Sequence, residues 1–310
     1  MMAHLYHAAS TSRQGFSQWH HRLQKQKNTT PCSVVLQMAT NIRRQSLPGA
    51  GARELYYFIR KRHESYNLAL VGWGKHRFEA LCLGNNFRIS HRSFVPKTTI
   101  RGDYVFPNLI EGIEINDIDQ IWVSDICYIF GSHGTLVGYA TSLIDLYSRR
   151  LIGLSFSQSM RAEETARVVI DQAFLLRKKT TFGDLVFHSD GGKQYIETLF
   201  LAQLKARNIR SSMAENCYQN AFAEAFNDIL KNHMLTQFDI NSFSQLKSQE
   251  QFIKDCYNFN KPHNGIQRMT PSDFEQNILS LLPCQRTPLK IKKIEPFSTI
   301  SDSLLSFQSS

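Results

Sequence analysis

Three carboxylates are placed where acids can share a metal. Asp125 lies in the middle of the apolar run QIWVSDICYI, Asp190 directly follows DLVFHS, and Glu224 sits within AFAEAFNDILKNHM. A carboxylate in an apolar run needs a partner, because burying an unpaired charge is expensive. Three converging carboxylates would repel one another and resist ionising. Divalent cations resolve that conflict. Hard oxygen donors suit Mg2+, with Mn2+ as a substitute, and a few carboxylates leave coordination positions open for substrate phosphate. Two such ions per site, about 3.5–4 Å apart, activate an attacking oxygen and stabilise a leaving one. Taken singly, each acid has a plainer reading, as a hydrogen-bonded strand Asp or a solvated helix Glu. Their joint placement, on a first strand, after a fourth strand and on the following helix, favours metal binding by Asp125, Asp190 and Glu224. Asp145 also ends a strand, but followed by Leu-Tyr-Ser-Arg-Arg it is expected to order that turn, through Arg149 or Arg150. His188, beside a strand end, reads as a packing residue before a proton carrier.

The elements that must position these acids follow from periodicity. Residues 120–129, 135–145 and 151–156 read as three strands with short connections, an antiparallel meander. A helix is expected at about 160–179, with Glu163 and Glu164 in its first turn and Arg177, Lys178 and Lys179 in its last, matching the helix dipole. A strand at 184–188, a helix at 196–206 and a short strand at 209–213 come next. In the helix carrying Glu224, Ala221, Phe222, Ala225, Phe226, Ile229, Leu230 and Met234 recur at the helical period, with Glu224 at the edge of that stripe. PHNGIQRMTPSDF reads as a turn into a helix at 271–282. The class is α/β.

The N-terminal third is different. Residues 1–116 hold 16 Lys/Arg against 6 Asp/Glu, whereas residues 117–310 hold 20 of each, so the whole +10 charge is N-terminal. Such asymmetry suits a segment that neutralises phosphates, attached to a unit with another task. Residues 1–30 read as a flexible basic arm or helical remnant. Helices are expected from residue 33 (Val34, Val35, Met38, Ile42), over 52–62 (Leu55, Tyr56, Ile59) and over 75–83 (Phe78, Leu81, Cys82), joined by glycine turns. Three short basic helices over 31–92 resemble a helix-turn-helix DNA-binding unit, preceding the rest as a small all-α domain. Residues 93–116 read as a linker, 117–282 as the core and 283–310 as a tail with Lys290, Lys292 and Lys293. An apolar fraction of 42% excludes a disordered chain. No apolar run is long enough to span a bilayer, and a soluble, cytoplasmic, nucleoid-associated protein is expected. The six cysteines are scattered without a C-x-x-C pair, which excludes a zinc knuckle.

QIWVSDICY (120–128), TSLIDLYSRRLIG (141–153), HSDGGKQY (188–195), SMAENCYQNAFAEAF (212–226) and NFNKPHNGIQRMTPSDF (258–274) together resemble the insertion-sequence transposases whose core is shared with retroviral integrases. The likeness is dense over 117–280 and looser back to about residue 50. It implies a ribonuclease-H-like mixed sheet flanked by helices and an Asp-Asp-Glu triad at Asp125, Asp190 and Glu224. It also implies hydrolysis at a mobile element's ends, followed by strand transfer from a 3′-hydroxyl to target DNA. The implied partners are double-stranded DNA (element ends and target), further copies on DNA, and an upstream-frame protein of a frameshifted pair. Lys193, Gln194, Asn220 and Lys231 are expected DNA contacts, with solvated or capping residues as the plainer reading. Four departures stand out. The 33 residues between Asp190 and Glu224 are slightly fewer than that family's usual spacing, and Gly191, Ala225 and Cys127 replace its common Arg, Ser and Thr. A catalytically decayed or domesticated DNA-binding descendant is the alternative. A ribonuclease acting on RNA–DNA hybrids shares the chemistry, but the basic helical segment favours long duplex DNA.

Overall fold

The computed structural model describes residues 12–27, 29–62, 70–89, 106–214 and 220–291. Residues 93–105 of the linker, 1–11 of the arm, Cys217, Lys292 and Lys293 lie outside the described residues. The chain forms two compact units. One joins Met1–Val95 to Ile229–Asp239 and Asp255–Thr270, and the other comprises Pro96–Asp228, Ile240–Lys254 and Pro271–Ser310.

The first unit contains helices α1 (Arg13–Lys27), α2 (Cys32–Gln45), α3 (Ala52–Arg62) and α4 (Lys75–Gly84). Their buried faces are Val35, Ala39 and Ile42 on α2, Leu55, Phe58 and Ile59 on α3, and Phe78 and Cys82 on α4. Val34, expected on the α2 stripe, is 49% exposed; Ala39, four residues beyond Val35, takes its place. Arg60, Lys61 and Arg62 end α3, where cations complement the helix dipole. The stretch read as a turn, and the two residues before it, also pack in this unit. Asn260 Nδ2 donates to the Ser46 carbonyl at 2.8 Å, Lys261 pairs with Glu54, and the Arg268 guanidinium lies 4.2 Å from the Tyr57 ring centroid.

The second unit is built on a five-stranded mixed sheet. Strands β1 (Ile121–Phe130), β2 (Leu136–Asp145) and β3 (Leu151–Ser157) are antiparallel, and β4 (Val186–Ser189) and β5 (Arg210–Met213) add in parallel beside β1, giving the order β3-β2-β1-β4-β5. Helix α5 (Ala166–Arg177) connects β3 to β4, and α6 (Thr198–Ala206) connects β4 to β5. On one sheet face, Trp122, Leu143, Ile152 and Phe187 pack with Val169, Ile170, Ala173 and Phe174 of α5 and with Phe200 and Leu204 of α6. Every residue of β3 is buried, Ser155 and Ser157 included. The other face meets α7 (Ala221–Asp228) and α8 (Phe243–Ser248). Helix α9 (Glu250–Asp255) follows, and α10 (Pro271–Ser280) supplies Glu275 to a buried ion cluster.

Helix α5 is shorter than its sequence suggests. It starts at Ala166, so Glu163 and Glu164 lie in the preceding turn. Ser159 Oγ donates to Glu164 Oε1 at 2.7 Å, a local bond that competes with helix formation. Arg177 does not face solvent at the helix end. Its guanidinium is 7% exposed and meets Asp119 at 2.7 Å, Asp145 at 3.3 Å and Glu275 at 2.7 Å.

Candidate active site

The register of β1 and β4 carries the first two acids. The strands pair in parallel as Ile121↔Val186, Trp122↔Phe187 and Val123↔His188. Extended two positions, that register sets Asp125 beside Asp190. Because side chains alternate along a strand, Asp125 shares the face of Val123, turned toward α7 and away from Trp122. Asn227 Nδ2 of α7 donates to Asp125 Oδ2 at 2.6 Å, a charge-assisted bond that ties helix to strand. Glu224 lies three residues earlier on α7, one turn along the same side of the helix, about 4.5 Å in axial rise.

Asp190 follows the end of β4 and accepts from the Gly192 N–H at 3.1 Å. Burial raises its pKa against that hydrogen bond; Glu224 is exposed, and only partial desolvation raises its pKa. Tyr195 is buried among these groups, its hydroxyl 2.9 Å from Ser124 Oγ. Burial raises its pKa well above the ordinary range, and the charges of Asp190 and then Asp125 push the same way. Both carboxylates therefore act on one hydroxyl. A Cβ on Gly192 would lie 2.8 Å from Gln194 Oε1 and 3.0 Å from Asp190 Oδ1, so the carboxylate occupies space that glycine leaves open.

Among the described residues, no group of three or more His, Cys, Asp and Glu side chains is gathered closely enough to hold a metal ion. The donor chemistry nonetheless fits a hard divalent cation: Asp125 and Asp190 lie two residues beyond the last paired positions of β1 and β4, Asp190 is penalised by burial while Glu224 is exposed to solvent, and Asn227 Oδ1 is a buried oxygen without a hydrogen-bond partner among the described residues.

The other residues singled out from sequence are distributed differently. Asn220 is 4% exposed and donates to the Ser124 carbonyl at 3.0 Å, anchoring the start of α7 to β1 next to Asp125. Lys193 is exposed and Gln194 half-buried on the short 3-10 turn after Asp190. Lys231 is half-buried on the π-helical turn Ile229–Met234, in the first unit. Asp145 does order its turn: its backbone bonds to Arg149 and Arg150, each at 2.9 Å, and its side chain adds further partners. Its Oδ1 accepts from the backbone of Tyr147 and Ser148, at 3.1 and 2.9 Å, and its Oδ2 meets Arg177. His188 is fully buried, with Nδ1 2.9 Å from Ser212 Oγ. The buried face of α7 is Ala223, Phe226 and Asn227, with Ala221 and Ala225 exposed, so it is rotated from the expected stripe. Sequence reasoning missed Asn227 because an Asn reads as solvent-facing. Its spacing from Ala223 and Leu230, four and three residues, was the available signal.

Integrase core domain models match residues 117–217 and 208–271. The transposase for insertion sequence element IS904 of Lactococcus lactis is 28% identical over 214 residues, covering 68% of this chain and 81% of that protein. Transposase InsF for insertion sequence IS3fB of Escherichia coli is 30% identical over 203 residues, covering 64% of this chain and 69% of that protein. This chain belongs to the insertion-sequence transposases with an integrase core. Among solved structures, the HTLV-2 integrase catalytic core domain in complex with magnesium aligns with 54% of the transposase chain and 99% of its own, at 16% identity and a TM-score of 0.40. The mixed sheet of the transposase, flanked by helices and following a helical N-terminal region, is the ribonuclease-H-like arrangement of an integrase core domain. Among the described residues, no helix is long and apolar enough to cross a membrane.

Proposed function

We propose that this transposase cuts the ends of a mobile DNA element and joins them to target DNA, using Asp125, Asp190 and Glu224 to hold two Mg2+ ions that Mn2+ can replace. The observation that carries this reading is the parallel pairing of β1 and β4, which ends two residues before Asp125 and Asp190, together with the α7 bond to Asp125 three residues from Glu224. Bound ions would supply charge for an attacking oxygen and for a leaving 3′-oxygen. The chain's own residues prepare the acids. Asn227 orients the Asp125 carboxylate, the Gly192 N–H holds Asp190, and Asn220 fixes the start of α7 against β1. The basic helices before the core are the proposed duplex-binding unit, with Lys193, Gln194 and Lys231 as further phosphate contacts. Two element ends must be held together for joining, which requires more than one copy on DNA. An upstream-frame partner and a cytoplasmic, nucleoid-associated location belong to the same reading.

The test incubates the purified chain with labelled DNA carrying its own element's ends and Mg2+ or Mn2+, beside Asp125→Asn, Asp190→Asn and Glu224→Gln. Nicked and joined products from the parent, lost in each variant with DNA binding retained, are expected. Cleavage by any variant removes that residue from the set. Binding without products, even with the upstream-frame protein added, would leave a DNA-binding descendant of the family.

A further inference from the structure

Arg149 lies in the turn between β2 and β3 with a φ of +64°, a left-handed backbone that residues with a Cβ adopt at a cost. The turn is fastened by other groups. The Arg149 N–H donates to the Asp145 carbonyl at 2.9 Å, the Asp145 N–H to the Arg150 carbonyl at 2.9 Å, and Asp145 Oδ1 holds the N–H groups of Tyr147 and Ser148. None of these bonds uses the Arg149 side chain. Glycine would satisfy the same backbone with less strain. A strained residue kept where glycine would do points to its side chain.

That side chain lies on α7. The Arg149 guanidinium carbon is 4.1 Å from the centroid of the half-buried Phe222 ring, a distance at which a cation on an aromatic face is attractive. Phe222 is two residues before Glu224. Ala223, Phe226 and Asn227 seat one face of α7, and Arg149 grips a second side, so the two contacts together resist rolling of this eight-residue helix about its axis. We propose that Arg149 is a positioning residue for Glu224, fixing the rotation of α7 and thereby the approach of that carboxylate to Asp125 and Asp190. The inference rests on the proposed role of Glu224.

The experiment compares the full chain with Arg149→Gly, Arg149→Lys, Phe222→Leu and the Arg149→Gly/Phe222→Leu pair. Arg149→Gly is expected to unfold at the same temperature or higher, whereas amide exchange across 221–228 becomes several-fold faster. On element-end DNA its kcat falls about 10- to 100-fold, the cost of a small misplacement, with KM unchanged. Arg149→Lys recovers part of the rate, and the double variant is no slower than either single one. Unchanged exchange in Arg149→Gly overturns the inference. So does a raised KM at constant kcat, which makes Arg149 a DNA contact. If the parent chain does not cleave, the proposed activity fails, while the exchange data still decide whether Arg149 holds α7.

Discussion

Asn227 Nδ2 donates to Asp125 Oδ2 at 2.6 Å, joining the helix that carries Glu224 to the strand that carries the first acid. Asn227 is only 6% exposed, so water cannot readily replace it as a donor. A hydrogen bond to a charged group contributes about 1.5–3 kcal/mol. Asn227→Leu is therefore expected to slow cleavage at least tenfold at fixed Mg2+, with part of the loss recovered at higher Mg2+ concentration. Cleavage rate as a function of Mg2+ checks this; an unchanged curve would make the bond incidental.

Gly192 offers a test of Asp190 that leaves the carboxylate in place. A methyl group there would stand 3.0 Å from Asp190 Oδ1 and 2.8 Å from Gln194 Oε1. The Gln194 side chain can swing away, but the Asp190 carboxylate is also held by the Gly192 N–H. Gly192→Ala is expected to lower kcat about tenfold or more through displacement of Asp190. Its thermal midpoint should stay within a few degrees of the parent. Parental cleavage would show that the carboxylate tolerates the shift.

Much of this was legible in the sequence, for physical reasons that particular residues illustrate. The apolar runs around Asp125 and before Asp190 betray strands because both sheet faces are covered. Motif order around Asp125, Asp190 and Glu224 marks the integrase core. The partners of Arg177 were not legible. A cation at a helix end satisfies the dipole rule whether it is solvated or buried, and Asp119, Asp145 and Glu275 meet it only through tertiary contacts. The same holds for residues 255–270, which pack with the N-terminal helices far away in sequence.

The Arg177 cluster makes a stability prediction. Removing the guanidinium leaves Asp119, Asp145 and Glu275 buried near one another, and breaking a buried pair costs about 3–5 kcal/mol. Arg177→Ala should lose roughly that much in urea unfolding. A loss under about 1 kcal/mol would mean that water or Arg150 replaces it.

The same cluster sets a pH dependence. Burial raises the Glu275 pKa, but hydrogen bonds and charge from Arg177, with Arg150, outweigh this and hold it below the ordinary 4.5. A depressed folded value means that its stabilisation is present above the unfolded pKa and is lost as pH falls through the folded one. Burial pushes Asp145 the other way, up to about 6, so its contribution weakens as pH rises through that value. Glu275→Gln should flatten the acid limb of the unfolding midpoint below pH 4.5, and Asp145→Asn the slope from about 4 to 6. Parallel profiles for parent and Glu275→Gln would exclude Glu275 as the source of the acid limb.

Gly49 tests how the first unit is completed by chain from beyond the sheet. It turns the backbone after α2 at φ +67°, and a Cβ there would lie 1.8 Å from the His233 carbonyl oxygen. His233 belongs to the π-helical turn, so the obstacle is backbone and cannot rotate away. The left-handed conformation costs about 1–2 kcal/mol for a non-glycine residue, and overpacking adds about 1–3 kcal/mol. Gly49→Ala should therefore lose about 2–5 kcal/mol and expose both the α2–α3 turn and residues 229–239 to limited proteolysis. Gly72 has a similar φ of +75°, but the Cβ there would meet the Thr29 side chain, which can move, so Gly72→Ala should be milder. Equal losses for the two variants would point to backbone strain alone. A much larger loss at Gly49 would show that the N-terminal helices depend on the 229–239 segment for their fold.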